Sequence, residues 1–338
     1  MTPDSKRDRI EWQKLLGRAA EITHSFNMDI TLRQLFYQLV SLPHDDDGWL
    51  PNTDNYYGSL GRYTAAARRE GRFPALIDPT REIHVPAHWE STPAALRALH
   101  EQYRNDRTAG QEYQVWMASE KKGMVALMRS WYGTSHGIPV IALGGQSSTA
   151  YNEEIMAAVA DDGRLAILLY AGDHDPAGWR ILHTFIRNTG CWANPELPEY
   201  PPTELDEILG YTRPEKKNSK PQPIPNYALD RKYRIALMPE QCVALNLVRN
   251  AAKEKDPNMQ SFIRNFEGTL TPDEVNDGLG VQIELDAVNP NTLRDMFSAA
   301  IDRFWDDDAY QEVLDAEDDD REELGSYLRQ AQERRQHA

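Results

Sequence analysis

The segment Leu165-Ala166-Ile167-Leu168-Leu169-Tyr170-Ala171-Gly172-Asp173-His174-Asp175-Pro176-Ala177-Gly178 constrains the fold of this chain more than any other. A continuous apolar run of this length, closed by Gly and Pro, suits a central parallel strand covered on both faces. In open α/β sheets, ligands bind just beyond the carboxyl ends of such strands. Asp173 and Asp175 stand at that end, one residue apart, and carboxylate oxygens there suit a hard cation such as Mg²⁺ or Mn²⁺. Gly172 and Gly178 allow close backbone approach, and Pro176 stiffens the turn. His174, on the opposite face of the strand, is expected to pack rather than to bind.

A matching acid lies upstream. Glu112 to Ser119 reads as a second strand, followed by Glu120-Lys121-Lys122-Gly123 and an apolar helix from Met124 to Trp131. Next come Gly144-Gly145-Gln146-Ser147-Ser148 and a further helix, and then the strand carrying Asp-x-Asp-Pro-x-Gly. This order, with acids at both strand ends, resembles the Toprim fold of topoisomerases, primases and certain nucleases. The resemblance implies that Glu120, Asp173 and Asp175 hold the metal.

The first hundred residues read as helical. Trp12, Leu15, Leu16, Ala19 and Ile22 mark one amphipathic face, and Leu32, Leu35, Phe36, Leu39 and Val40 mark a second within Thr31 to Leu42. A polar loop (Pro43 to Asn52) leads to a third helix from about Asp54 to Glu70, with Gly71 suited to its C′ position. Tyr56, Leu60, Tyr63 and Ala67 form its expected inner stripe, and Arg62, Arg68 and Arg69 lie towards the other side. The pattern predicts a helix-turn-helix or winged-helix unit over 1–105 whose arginine-bearing helix reads double-stranded DNA, with Arg72 and Lys121 as further phosphate contacts. The connecting loop is longer than such a turn usually has, and a helical bundle with a solvated arginine face is the alternative.

Arg33 and Tyr37 are four apart on the second helix and therefore neighbours on one side. An adjacent guanidinium favours a phenolate and can hold a phosphate oxygen, and both effects help a tyrosine attack phosphorus. The Arg-x-x-Phe-Tyr motif, in an N-terminal winged-helix-like unit that precedes a Toprim-like domain, resembles the A subunit of topoisomerase VI and its meiotic double-strand-break relatives. The resemblance spans roughly residues 25–190. It implies that Tyr37 becomes linked to a DNA 5′ end with Arg33 assisting, that Glu120, Asp173 and Asp175 bind Mg²⁺, and that two protomers pair so that the tyrosine of one meets the metal of the other. It also implies a separate ATPase subunit wherever strands are passed. The Gly144-Gly145-Gln146 turn, the Pro-rich segment and the acidic tail depart from the family's pattern.

The remaining features bound the reading. The net charge of −16 is concentrated: Asp302 to Glu323 carries 12 acids and 2 bases, whereas residues 1–110 carry 14 Lys/Arg against 15 Asp/Glu. Local patches govern contact with phosphates, so the total does not exclude DNA. No apolar run is long enough to span a membrane, the polar N-terminus is no secretory signal, and Cys191 and Cys242 fit a reducing cytoplasm and a packing role. The α/β domain is expected over 106–300 with a Pro-rich insertion near 194–226, further strands at Tyr233 to Leu237 and Gly280 to Ala287, and a helix from Asn291; an acidic helical tail covers 301–338. Alternation makes Glu284 and Asp286 a solvated strand face. Two rival functions stay open: a hydrolytic Toprim nuclease in which Tyr37 is only structural, of the kind that serves defence against foreign DNA, and a non-catalytic DNA-binding subunit.

Overall fold

A computed structural model of the chain describes residues 10–26, 28–78, 86–144, 147–193, 211–212, 222–223, 232–251, 262 and 281–336. Most of the expected Pro-rich insertion lies outside the described residues, as do Gly145 and Gln146.

The α/β expectation is met by a parallel sheet. β1 (Tyr113–Ser119) is flanked by β2 (Val140–Ala142) and by β3 (Leu165–Ala171), which it pairs in parallel from Tyr113↔Leu165 to Ser119↔Ala171. The outer edge of β3 is shared end to end by β4 (Trp192–Ala193), beside Ala166 and Ile167, and β5 (Arg234–Ala236), beside Tyr170 and Ala171. Successive strand residues point to opposite faces, and here both faces are covered. Val115, Met117, Ile167 and Leu169 pack with Leu127, Leu293 and Phe297 on one side. Trp116, Ala118, Leu168 and Tyr170 pack with Ile155, Leu182 and Phe185 on the other. Burial on both sides is why these strands are apolar without alternation.

Helices α1 (Trp12–His24), α2 (Leu32–Val40) and α3 (Asp54–Arg69) enclose a separate core of Leu15, Ala19, Leu35, Leu39, Leu60 and Ala67. α2 starts in a capping box, in which Thr31 Oγ1 accepts from Gln34 N at 3.1 Å and Gln34 Oε1 from Thr31 N at 2.9 Å. α3 is capped by Thr53, and Gly71 follows it at φ +69°. Tyr63 departs from the expected inner stripe: it is 42% exposed and stacks on Trp12 with centroids 4.2 Å apart.

The tail is helical but not free. After α4 (Thr92–Gln102), α5 (Lys122–Met128), α6 (Thr149–Asp162), α7 (Pro176–Thr189), α8 (Pro239–Ala244) and α9 (Pro290–Ile301) comes α10 (Asp307–Gln336), which lies against α4. Its Glu317 is fully buried and takes both arms of Arg107, with Nε at 2.9 Å and Nη2 at 2.6 Å. A bidentate guanidinium–carboxylate pair fixes orientation as well as position. Among the described residues no helix is long and apolar enough to cross a membrane.

Candidate active site

The carboxyl ends of β1 and β3 place the predicted acids side by side. Asp175 serves two ends at once. Its Oδ1 caps α7 by accepting from Gly178 N at 2.6 Å, and its Oδ2 accepts from Gln282 Nε2 at 2.9 Å. Pro176 at the first helical position has no N–H to satisfy. Asp173 Oδ1 accepts from Leu285 N at 2.7 Å and from Lys121 Nζ at 3.0 Å. Glu120 Oε2 is buried with no hydrogen-bond partner. His174 packs as expected, buried, with Nδ1 accepting from Trp179 Nε1 at 3.1 Å.

Two further acids join them, contrary to the solvated-face reading of Glu284 and Asp286. The strand expected over Gly280 to Ala287 is cut short. Val281–Gln282 pairs with Asn250–Ala251, Ile283 bridges to His174, and the chain then turns into a 3₁₀ helix at Leu285–Ala287. The turn into the 3₁₀ helix, not strand alternation, directs Glu284 and Asp286, and both face the site. Their side chains are only 12% and 8% exposed and are spanned by two cations. Arg33 reaches Glu284 through Nη2 at 3.0 Å and Asp286 through Nε at 3.2 Å. Lys121 Nζ reaches Asp286 Oδ2 at 3.0 Å and also binds Glu284. Lys121, expected to meet DNA phosphate, is thus turned inward.

A third cation supports the acid loop from beneath. Arg234, buried on β5, donates to the carbonyls of Leu237 (3.0 Å), Gly172 (2.6 Å) and Asp173, and its guanidinium carbon lies 4.2 Å from the Trp179 ring centroid. The sequence carried a sign of this in an arginine set inside the apolar run Tyr-Arg-Ile-Ala-Leu, since a buried charge needs partners.

α2 brings the tyrosine beside Glu284 within one chain. Tyr37 is 5% exposed, with its hydroxyl accepting from Asn250 Nδ2 at 3.4 Å and Arg33 stacked 5.7 Å from its ring centroid. Both line a polar cavity of about 440 Å³ with Tyr57, Asn52, Asn250 and Glu284, at the start of α3. Along α3, Arg62 and Arg69 are exposed and Arg68 is half-buried, while beyond its end exposed Arg72 pairs with Glu70 at 2.7 Å.

Charge sets the chemistry. Burial pushes the Asp173 carboxyl up to about 7 even though Lys121 opposes the shift. Glu120 is raised by burial and by Asp175, whereas Lys121 and Arg33 overcome burial to hold Glu284 below its usual range. The Tyr37 hydroxyl is raised, first by burial and then by Glu284, and Arg33 only partly offsets this. The expected activation by Arg33 is therefore blunted, because its charge is engaged by Glu284 and Asp286. With Asp173 above its unfolded value of 3.8, this carboxyl binds more of a proton in the folded chain than in the unfolded one between about pH 4 and pH 7. The contribution of Asp173 to stability therefore falls as pH rises through that window. Urea unfolding across it should show this slope, and Asp173→Asn should flatten it; an unchanged slope in the variant would assign the proton elsewhere.

Among the described residues, no three His, Cys, Asp or Glu side chains form a group that could hold a metal ion as they are arranged. The donor chemistry still fits a hard cation. The oxygens are carboxylate, Glu120 Oε2 is a buried acceptor without a donor, Asp173, Glu284 and Asp286 are gathered around the cations they bind, and Asp175 is taken up by Gly178 N and Gln282 Nε2. No family model, no curated protein and no solved structure matches this chain.

Proposed function

We propose that this chain cuts double-stranded DNA in a divalent-metal-dependent reaction, with Tyr37 as nucleophile. The observation that carries the reading is the placement of Arg33 and Tyr37, from the helical unit, beside Glu284, which with Asp286 and Asp173 shares the Lys121 ammonium at the carboxyl ends of β1 and β3. Glu120, Asp173 and Asp175 would hold Mg²⁺ or Mn²⁺. Such an ion supplies Lewis-acid stabilisation of charge on phosphate oxygens. Arg33 uses two of its nitrogens on Glu284 and Asp286 and keeps Nη1 for a phosphate oxygen. Tyr37 Oη bonds to phosphorus, the P–O3′ bond breaks, and the strand is left with a 5′-phosphotyrosyl link and a free 3′ hydroxyl. The helical unit acts as a winged-helix-like DNA reader with Arg62, Arg68, Arg69 and Arg72 towards the backbone. A homodimer would cut both strands, and strand passage would call on a separate ATPase.

Hydrolysis by a Toprim-like nuclease is the second reading, favoured by one observation: burial and Glu284 hold the proton on Tyr37. Incubation with labelled plasmid and Mg²⁺ or Mn²⁺, followed by denaturation with and without protease, separates the two. Protein-linked 5′ ends are expected, lost in Tyr37→Phe and in Asp173→Ala. Free ends that survive Tyr37→Phe would make water the nucleophile, and DNA binding without any product would leave a binding subunit.

A further inference from the structure

The cavity of about 440 Å³ between α2 and the start of α3 falls within the size range of small-molecule sites. Its lining, among the described residues, is of three kinds. The first is aromatic: the half-buried Tyr57 ring lies edge-on to Phe36 at 5.3 Å, and Phe36 lies edge-on to Tyr37 at 5.7 Å. The second is amide. Asn52 Nδ2 donates to Asn250 Oδ1, and Asn250 Nδ2 donates to Tyr37 Oη at 3.4 Å. Asn52 is exposed, and among the described residues its Oδ1 and its second amide hydrogen have no partner, nor has the Tyr57 hydroxyl. The third is charged: Asp54 and Glu284 stand against a single cation, Arg33, which already gives Nη2 to Glu284 and Nε to Asp286.

This lining selects by chemistry. A free anion meets two carboxylates and one guanidinium that is largely engaged. An apolar ligand leaves the open amide and hydroxyl unmet, which is costly once water is displaced. A neutral planar ring with donors and acceptors along its edge satisfies both kinds of wall. Its face lies on Tyr57, and its edge meets Asn52, whose amide offers an acceptor and a donor side by side. That is the pairing by which asparagine reads N6 and N7 of adenine. The surplus of acceptors, from Asp54 and Asn52 Oδ1, favours a ring that carries an exocyclic amino group.

We propose that this cavity takes one unstacked, amino-bearing nucleobase, with adenine the best match to the amide, from the nucleotide beside the strand break. Tyr37 and Arg33 line the same cavity, so a base seated there brings the backbone of its own nucleotide beside them. The substrate is then DNA with a base turned out of the stack, which costs least at a mismatch or in a single strand. The position beside the break rests on the tyrosine reading above; the base site can be measured without any cleavage.

Nucleosides carry no phosphate, so their binding reports the cavity rather than backbone electrostatics. Calorimetric titration of the full chain with adenosine, without metal or DNA, should show one site per chain. Thymidine, which lacks the amino donor, should bind about tenfold more weakly. Tyr57→Ala and Asn52→Ala should each weaken adenosine by about tenfold, through the lost stack and the lost edge pairing respectively. Tyr57→Phe keeps the ring and should retain most of the affinity. Asn52 is exposed, so its replacement reads the site even where Tyr57→Ala does not fold. Photocrosslinking of 8-azidoadenosine to the wild type, read by mass spectrometry, should label peptides that hold Tyr37, Asn52 to Tyr57, or Asn250. No adenosine binding at millimolar concentration, full affinity in Asn52→Ala, or labelling elsewhere would each overturn the proposal. The plasmid assay on the same preparation is scored separately. Cleavage without adenosine binding removes the base site and keeps the nuclease; adenosine binding without a protein-linked end keeps the base site and removes Tyr37 as nucleophile.

Discussion

Replacing Arg234 by Leu should cost about 3–5 kcal/mol of stability and abolish divalent-ion binding. The residue is 3% exposed, and its guanidinium holds the carbonyls of Gly172, Asp173 and Leu237 in one fork. Leucine restores apolar volume beside Trp179 but takes the guanidinium donors from the buried carbonyls of Asp173 and Leu237, while Gly172 keeps only the Leu237 N–H, and an unmet buried acceptor is the expensive half of losing a hydrogen bond. Lysine should rescue only part, because a point charge cannot fork across three acceptors. Arg72→Leu is the internal control. It is exposed, paired with a neighbouring glutamate on the surface, and should change stability by less than about 1 kcal/mol. Urea midpoints of the three variants with Mn²⁺ titrations decide the matter. An Arg234→Leu protein as stable as Arg72→Leu would show that the acid loop stands without its buried support.

Gly178→Ala should be nearly as damaging for a steric reason. A Cβ at Gly178 would come under 3.0 Å from the backbone carbonyl oxygen of Asp173 and 3.1 Å from Glu120 Oε2. Neither is the loose end of a flexible side chain, since one is backbone and the other is buried. Overpacking of this kind costs about 1–3 kcal/mol, and here the displaced atoms belong to the acids themselves, so Mn²⁺ affinity should fall with stability. Gly17→Ala provides the contrast. That glycine lies inside α1 with nothing within 4 Å of a Cβ, so alanine there should stabilise by about 0.5–1 kcal/mol. Equal behaviour of the two variants in thermal unfolding would refute the close approach at Gly178.

What could be read from the sequence followed from local physics. β1, β3 and β5 were legible because strands buried on both faces are written as apolar runs, and α2 and α3 because their caps and stripes lie within a few residues of one another. The position of Asp173, Asp175 and Glu120 at neighbouring strand ends was legible because a strand end is a place as well as a composition. Glu284 and Asp286 were misread because alternation was carried past the point where the strand gives way to a 3₁₀ helix, and because a local pattern does not tell what a side meets. Their partners Lys121 and Arg33 lie more than 160 residues away in sequence. The inward turn of Lys121 and the blunting of Arg33 have the same origin, since a basic side chain looks free until its acids are located. Glu317 in the tail followed suit: within a run of acids nothing distinguishes the one that Arg107 will bury.

Arg33 of the helical unit and Glu284 and Asp286 of the acid cluster belong to one chain, so the bridge between the two is made within each copy. A change at either end is then felt in the copy that carries it, and mixing copies that lack different members of the bridge restores neither.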